Sequence, residues 1–171
     1  ILPAPPEPAN SSGKSSTRNT SRNQMPSRAA TPVGLIDTGA ILALVDRDDE
    51  GHEACVAAYN AHRLPWLTTE AVLTETLHLV RRNLRDDRGV WQLLRSGALQ
   101  MSSIANEELP HIQTLMGDYA DRPMDFADAT LVHVGARERL SLVLTIDHDD
   151  FETYRLPGRK KFTILPRRPR T

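Results

Sequence analysis

The stretch GLIDTGAILALVD, residues 34–46, decides the fold. Val33 to Ile36 is a short, partly β-branched apolar run of the kind that forms a buried parallel strand. Ala40 to Val45 is a second apolar run, and its Ala and Leu content favours helix. Asp37 stands between them, so the pattern predicts an aspartate at the carboxyl end of a strand, where the chain turns into a helix. Such a residue has two readings: it caps the helix, or it holds something beyond the edge of the sheet.

The same alternation continues outward. The strand over 33–37 leads to a helix over 38–46, and a second helix is predicted over 50–62. LPWLTT (64–69) reads as extended, and TTEAVLTETLHLVRR (68–82) as a helix with Thr68 or Thr69 as N-cap. A helix over 86–96 ends near Gly97, where glycine can take the left-handed cap. ALQMSSI (98–104) reads as a strand, 106–120 and 126–139 as helices, and LSLVLTI (140–146) and KFTILP (161–166) as strands. Strands separated by helices predict βαβ units. The expected fold is therefore a three-layer α/β/α sandwich with a central parallel sheet.

Residues 1–31 are of different material. They hold Pro3, Pro5, Pro6, Pro8 and Pro26, six serines and no aromatic residue. Such a segment buries too little apolar surface to offset its chain entropy, so it is expected to be a disordered extension, with Met25 as the natural start. The folded domain is expected over 32–166, followed by a basic tail over 167–171. The charge is nearly balanced, 21 basic against 22 acidic residues, which excludes binding through one broad basic surface. Cys55 is the single cysteine, so no intramolecular disulfide framework exists. The opening ILPAPPEPAN lacks the charged start and apolar core of a signal peptide, and the apolar run near Asp37 is far short of a membrane span. These features point to the cytoplasm.

Five acidic residues occupy places where ligands bind in such sheets. Asp37 and Asp147 each follow an apolar strand run. Asp125 and Asp128, in PMDFADATLVHVGARERL (123–140), stand three apart at a helix start and so share a side. Glu75 has Ala71, Val72 and Leu79 as its helical neighbours, which puts a carboxylate on or beside an apolar stripe. A buried carboxylate shifts its pKa or finds a partner, either an arginine or a shared cation. Each residue also has a plain structural reading: Asp37 and Asp125 as N-caps, Asp128 in a favourable first turn, Asp147 in a turn-like DHDD segment, Glu75 half exposed. Together, a cluster of carboxylates implies a cation, because two unit charges at 4 Å repel by about 4 kcal/mol at an effective dielectric near 20. All-oxygen ligation suits Mg²⁺ or Mn²⁺ rather than zinc.

In order and spacing, LIDTGAILALVD, the glutamate in TTEAVLTETLHLV, MDFADATLVHVGA and VLTIDHDDF resemble the acidic motifs of PIN-domain ribonucleases, most nearly the VapC-type toxins of toxin–antitoxin pairs. The resemblance covers residues 33 to about 166. It implies that Asp37, Glu75, Asp128 and Asp147 form a metal-binding active site that cleaves RNA with Mg²⁺ or Mn²⁺, with Glu75 or Asp147 as general base. Asp125 resembles a supplementary acid found in part of the family, and Thr38 the small hydroxyl residue after the first aspartate. Asp149 and Asp150 compete with Asp147 for the fourth position; Thr145, two residues before Asp147, favours the latter. An RNA substrate, a small antitoxin protein and a homodimer are the implied partners.

Basic residues are the expected RNA contacts: Arg81, Arg82, Arg85 and Arg88 after the Glu75 helix, then Arg155, Arg159, Lys160, Lys161, Arg167, Arg168 and Arg170. Cys55, His52, His78 and His133 are read as ordinary helix, surface or core residues. The competing readings are a non-catalytic PIN-like module that binds RNA or protein, and a Mg²⁺ phosphatase. Phosphatases with an aspartyl nucleophile want a second aspartate two residues on, and Gly39 occupies that place.

Overall fold

Leu35 and Ile36 are successive strand residues and both are shut off from solvent, at 0% and 1% exposure. Successive side chains on a strand point to opposite faces, so this sheet is covered on both sides. Burying each of these side chains contributes about 1.5–3 kcal/mol relative to leaving it exposed. A charged residue at either position would put an unpaired ion in the core. In a computed structural model describing residues 30–63, 65–121 and 124–168, five strands form the middle layer: β1 (Gly34–Ile36), β2 (Trp66–Thr69), β3 (Leu99–Ser102), β4 (Leu142–Leu144) and β5 (Thr163–Leu165). Their order is β3-β2-β1-β4-β5, and every pairing is parallel. The extension before residue 30, and residues 169–171 of the tail, lie outside the described residues.

Helices complete the sandwich: α1 (Thr38–Val45), α2 (His52–Asn60), α3 (Glu70–Asn83), α4 (Arg88–Arg95), α5 (Leu109–Asp118), α6 (Phe126–Glu138) and α7 (His148–Thr153). Thr69 caps α3, its hydroxyl accepting from Val72 N–H at 3.3 Å. The chain leaves α4 through Gly97 at φ +74°, the left-handed position that favours glycine. Gly135 is required for close approach: a Cβ there would stand 2.8 Å from Leu35 Cδ1, so its absence lets α6 lie against β1. Among the described residues, no helix is long and apolar enough to cross a membrane.

Three local features depart from the sequence pattern. The helix expected over 106–120 begins as a 3₁₀ turn, Asn106–Glu108, and α5 proper starts with Pro110 in its first turn. The strand expected over 140–146 is confined to Leu142–Leu144, because Arg139 ends α6 in the left-handed conformation and Asp147 already caps the next helix. That helix, α7, occupies the segment expected to be a turn. Asp149 and Asp150 fall in its first turn, where negative charge is favoured by the helix dipole.

The strand order positions the site. From β1 the chain passes to β2 on one side, while β4 pairs on the other. The sheet therefore changes direction between the carboxyl ends of β1 and β4, and such a switch point leaves a crevice. Asp37 follows β1 there, and Asp147 lies three residues beyond β4.

Candidate active site

Asp37 caps its helix and also lines the crevice. Its Oδ1 accepts from Ala40 N–H at 2.9 Å and so caps α1. Its Oδ2 accepts from the Thr145 hydroxyl at 2.6 Å. The residue is only 6% exposed. Burial raises its pKa to about 6; the Thr145 and Ala40 hydrogen bonds pull it back, while the charges of Asp147 and Glu75 push it further up.

Glu75 comes from α3, where it is half-buried. Its Oε2 accepts from the Thr38 hydroxyl at 2.7 Å, which ties the second residue of the α1 motif to the carboxylate of another helix. Asp125 and Asp128 arrive with the start of α6. Asp125 is the N-cap, accepting from Asp128 N–H at 2.8 Å. Asp128 is half-buried, and its Oδ2 accepts from the Tyr154 hydroxyl at 2.9 Å. Burial first, and then the Asp125 charge, raise its pKa to about 7. Asp147 is exposed, caps α7, and receives its own orientation from Thr145: its N–H donates to the Thr145 hydroxyl at 2.8 Å.

These side chains share one cavity of about 270 Å³. Its lining holds six carboxylates, those of Asp37, Glu75, Asp125, Asp128, Asp147 and Asp150, and among the described residues no Lys or Arg. The five sequence-predicted acids are therefore brought together. Asp150 lines the cavity as well, whereas Asp149 pairs with Arg168. Among the described residues no three His, Cys, Asp or Glu side chains are gathered closely enough to hold a metal ion as they stand. The donor chemistry fits a hard divalent cation: all the facing donors are oxygens, and burial and neighbouring carboxylate charge raise the pKa of Asp37 and Asp128, as expected of carboxylates that a cation would compensate.

Sequence reasoning missed Tyr154. It is 1% exposed, and its hydroxyl is held to Asp128, so burial and that neighbouring charge raise its pKa. Only the long-range placement of α7 against α6 reveals it; no local pattern marks a tyrosine as the partner of an acid 26 residues away.

The predicted RNA contacts are not brought to the cavity. All strands run one way, and α3 starts where β2 ends, so it runs back toward the amino edge. Arg81 and Arg82 lie about 9–10 Å of helix rise beyond Glu75, and Arg85 follows the helix end. Arg81 pairs with Asp87 at 3.3 Å. Arg159, Lys160 and Lys161 precede β5 and so stand at the same amino edge. Arg167 and Arg168 follow β5 on the carboxyl edge, and they line a groove that shares Ile146 with the acidic cavity. Of the discounted residues, His78 lines the groove beside Glu75 and Asp125, and the other three make ordinary contacts or are buried. His52 contacts the Ala43 carbonyl at 2.6 Å, His133 meets Glu108 at 2.8 Å, and buried Cys55 has its thiol pushed up to about 11.

The PIN domain family model matches residues 34–156, so the chain belongs to the PIN-domain family of nucleases. Among solved structures it is similar to Mycobacterium tuberculosis VapC20, described as a sarcin–ricin loop cleaving toxin. The identity is 19%, the match covers 67% of this chain and 90% of that one, and the TM-score is 0.61. At that identity the likeness bears on the fold. A comparison with curated proteins gave no match.

Proposed function

We propose that the protein is a divalent-metal-dependent endoribonuclease and the toxin of a type II toxin–antitoxin pair. The observation that carries this reading is the cavity at the sheet's switch point, lined by six carboxylates and, among the described residues, by no Lys or Arg, in a chain of the PIN family. Asp37, Glu75, Asp128 and Asp147 would hold Mg²⁺ or Mn²⁺, with Asp125 and Asp150 at the rim. When bound, the ion supplies a polarised phosphodiester and a water of lowered pKa. The protein's part is positioning: Thr145 fixes Asp37 and Asp147 relative to each other, Thr38 fixes Glu75, and Tyr154 fixes Asp128. Glu75 or Asp147 accepts the proton of the attacking water. Arg167 and Arg168, on the cavity's edge of the sheet, meet phosphates of the strand.

The test is incubation of the purified protein with total RNA, and with an RNA containing a sarcin–ricin loop, with and without Mg²⁺. Wild type should cleave only with the ion, and Asp128→Asn should not cleave. Absence of cleavage by wild type, with RNA or protein binding retained, would make it a non-catalytic PIN module. The toxin reading expects a neighbouring gene for a small antitoxin whose basic side chain enters the acidic cavity. Expression alone should arrest growth, and co-expression of that neighbour should restore it. Sedimentation of the free protein tests the proposed homodimer.

A further inference from the structure

Phe126 is a large apolar side chain left 48% exposed at the first position of α6, directly after the cap Asp125 and two residues before Asp128. The buried face of α6 is already formed by residues such as Leu131 and Val134, so the ring has no place in the core. It stands as a ridge between two surface grooves. One, of about 510 Å³, is lined by Ile112 and Met116 of α5. The other, of about 700 Å³, lies between α3 and the start of α6. It shares Glu75, Asp125 and Ala127 with the acidic cavity, so the two are continuous.

We propose that Phe126 is a stacking platform for an unpaired base of the RNA beside the bond that is cut. This deepens the nuclease reading and rests on it. The chemistry of the groove selects the base rather than the backbone. Its floor is Ala71 and Ala127, its edges carry Glu70, Glu75 and Asp125 together with Thr74 and His78, and among the described residues no Lys or Arg lines it. A phosphate there would meet three carboxylates against the single imidazole of His78. A neutral base presents a π-face to the ring and N–H donors to the carboxylates, which accept and do not donate when ionised. With the scissile phosphate at the acidic cavity, the adjoining groove is where a neighbouring nucleotide falls. Base–aromatic stacking tolerates any base, so the ring supplies grip while the groove edges supply preference.

The experiment uses short single-stranded RNAs containing one mapped cleavage site, with either the natural base or an abasic nucleotide beside it. Wild type, Phe126→Leu and Phe126→Trp are compared with Mg²⁺ present, after thermal melts confirm equal folding. Phe126→Leu should raise KM for the natural RNA roughly tenfold with kcat little changed, and Phe126→Trp should restore it. The abasic RNA should lose as much with wild type, and Phe126→Leu should then add no further loss, because both changes remove one contact. Multiplying losses, or an unchanged KM in Phe126→Leu, would overturn the proposal while leaving the nuclease reading standing. So would a Phe126→Leu effect confined to self-association or antitoxin binding, which would make the ring a protein-docking residue. Should that variant fail to fold, an undiminished rate on abasic RNA with wild type overturns it equally. If wild type cuts no RNA, the nuclease reading fails and this proposal with it.

Discussion

The Thr145 hydroxyl donates to Asp37 Oδ2 at 2.6 Å across 108 residues of sequence, and the same oxygen accepts from Asp147 N–H at 2.8 Å. One buried hydroxyl thus sets the spacing of the two strand-end aspartates. Thr145 is 0% exposed, so its side chain is shut off from solvent.

Thr145→Val keeps the shape and removes both bonds. Leaving buried groups unsatisfied should destabilise the protein by about 1–3 kcal/mol. Asp37 loses the hydrogen bond that most opposes its burial, so its pKa should rise above about 6. The acid limb of the pH profile of kcat/KM should move upward with it, while Thr145→Ser should resemble wild type. An unmoved acid limb in Thr145→Val would show that Asp37 ionisation does not limit activity.

The metal-free protein should lose stability as pH rises. Asp37 and Asp128 have folded pKa values raised to about 6 and about 7 from 3.8, so the folded state binds protons more tightly than the unfolded state. Their favourable contribution is complete below about pH 4 and is lost as pH passes through 6 and 7. For nearly buried Asp37 alone this amounts to about 2–3 kcal/mol. Melts in EDTA should therefore fall in midpoint between pH 5 and 8, and excess Mg²⁺ should reverse the fall at the upper end. A rising midpoint over that range would contradict the raised values.

Charge reversal separates the two edges of the sheet. Arg167→Glu should weaken RNA binding and reduce its salt dependence by about one counterion. Reversing Arg81, Arg82 and Arg85 together should change it less, because they stand at the opposite edge from the cavity. Filter binding across a salt series gives both slopes. A larger loss from the Arg81, Arg82 and Arg85 set would route the strand over α3 instead.

The alternation that made the sheet legible is carried by local sequence: Val33–Ile36 and Leu142–Leu144 are apolar runs, and Trp66–Thr69 is a short β-prone run, each between helix-forming segments. Asp37 and Asp147 were legible for the same reason, as polar residues ending such runs. Helix α7 was not, because Asp147, Asp149 and Asp150 favour a turn and a helix start equally, and only packing of Phe151 into the core decides between them. Tyr154 and the placement of the arginines required the tertiary arrangement. A basic run before a strand and one after it look alike until strand direction assigns them to opposite edges.

Asp37→Asn distinguishes a cap from a ligand. Asparagine caps about as well as aspartate, so the bond from Ala40 N–H should persist and α1 should be unaffected. In the metal-free protein the change removes repulsion from Asp147 and Glu75 and the burial of a charge, so at pH 8 the mutant should be more stable than wild type by about 1 kcal/mol or more. At pH 5, where Asp37 is largely protonated, that advantage should shrink. With Mg²⁺ the order should reverse, because wild type gains stability from the ion by mass action and the mutant, lacking a charged ligand, gains little. RNA cleavage should disappear in parallel. Four melts, wild type and mutant in EDTA and in excess Mg²⁺, give the whole pattern. Equal Mg²⁺ responses in the two proteins would leave Asp37 as the N-cap of α1 and remove it from the metal site.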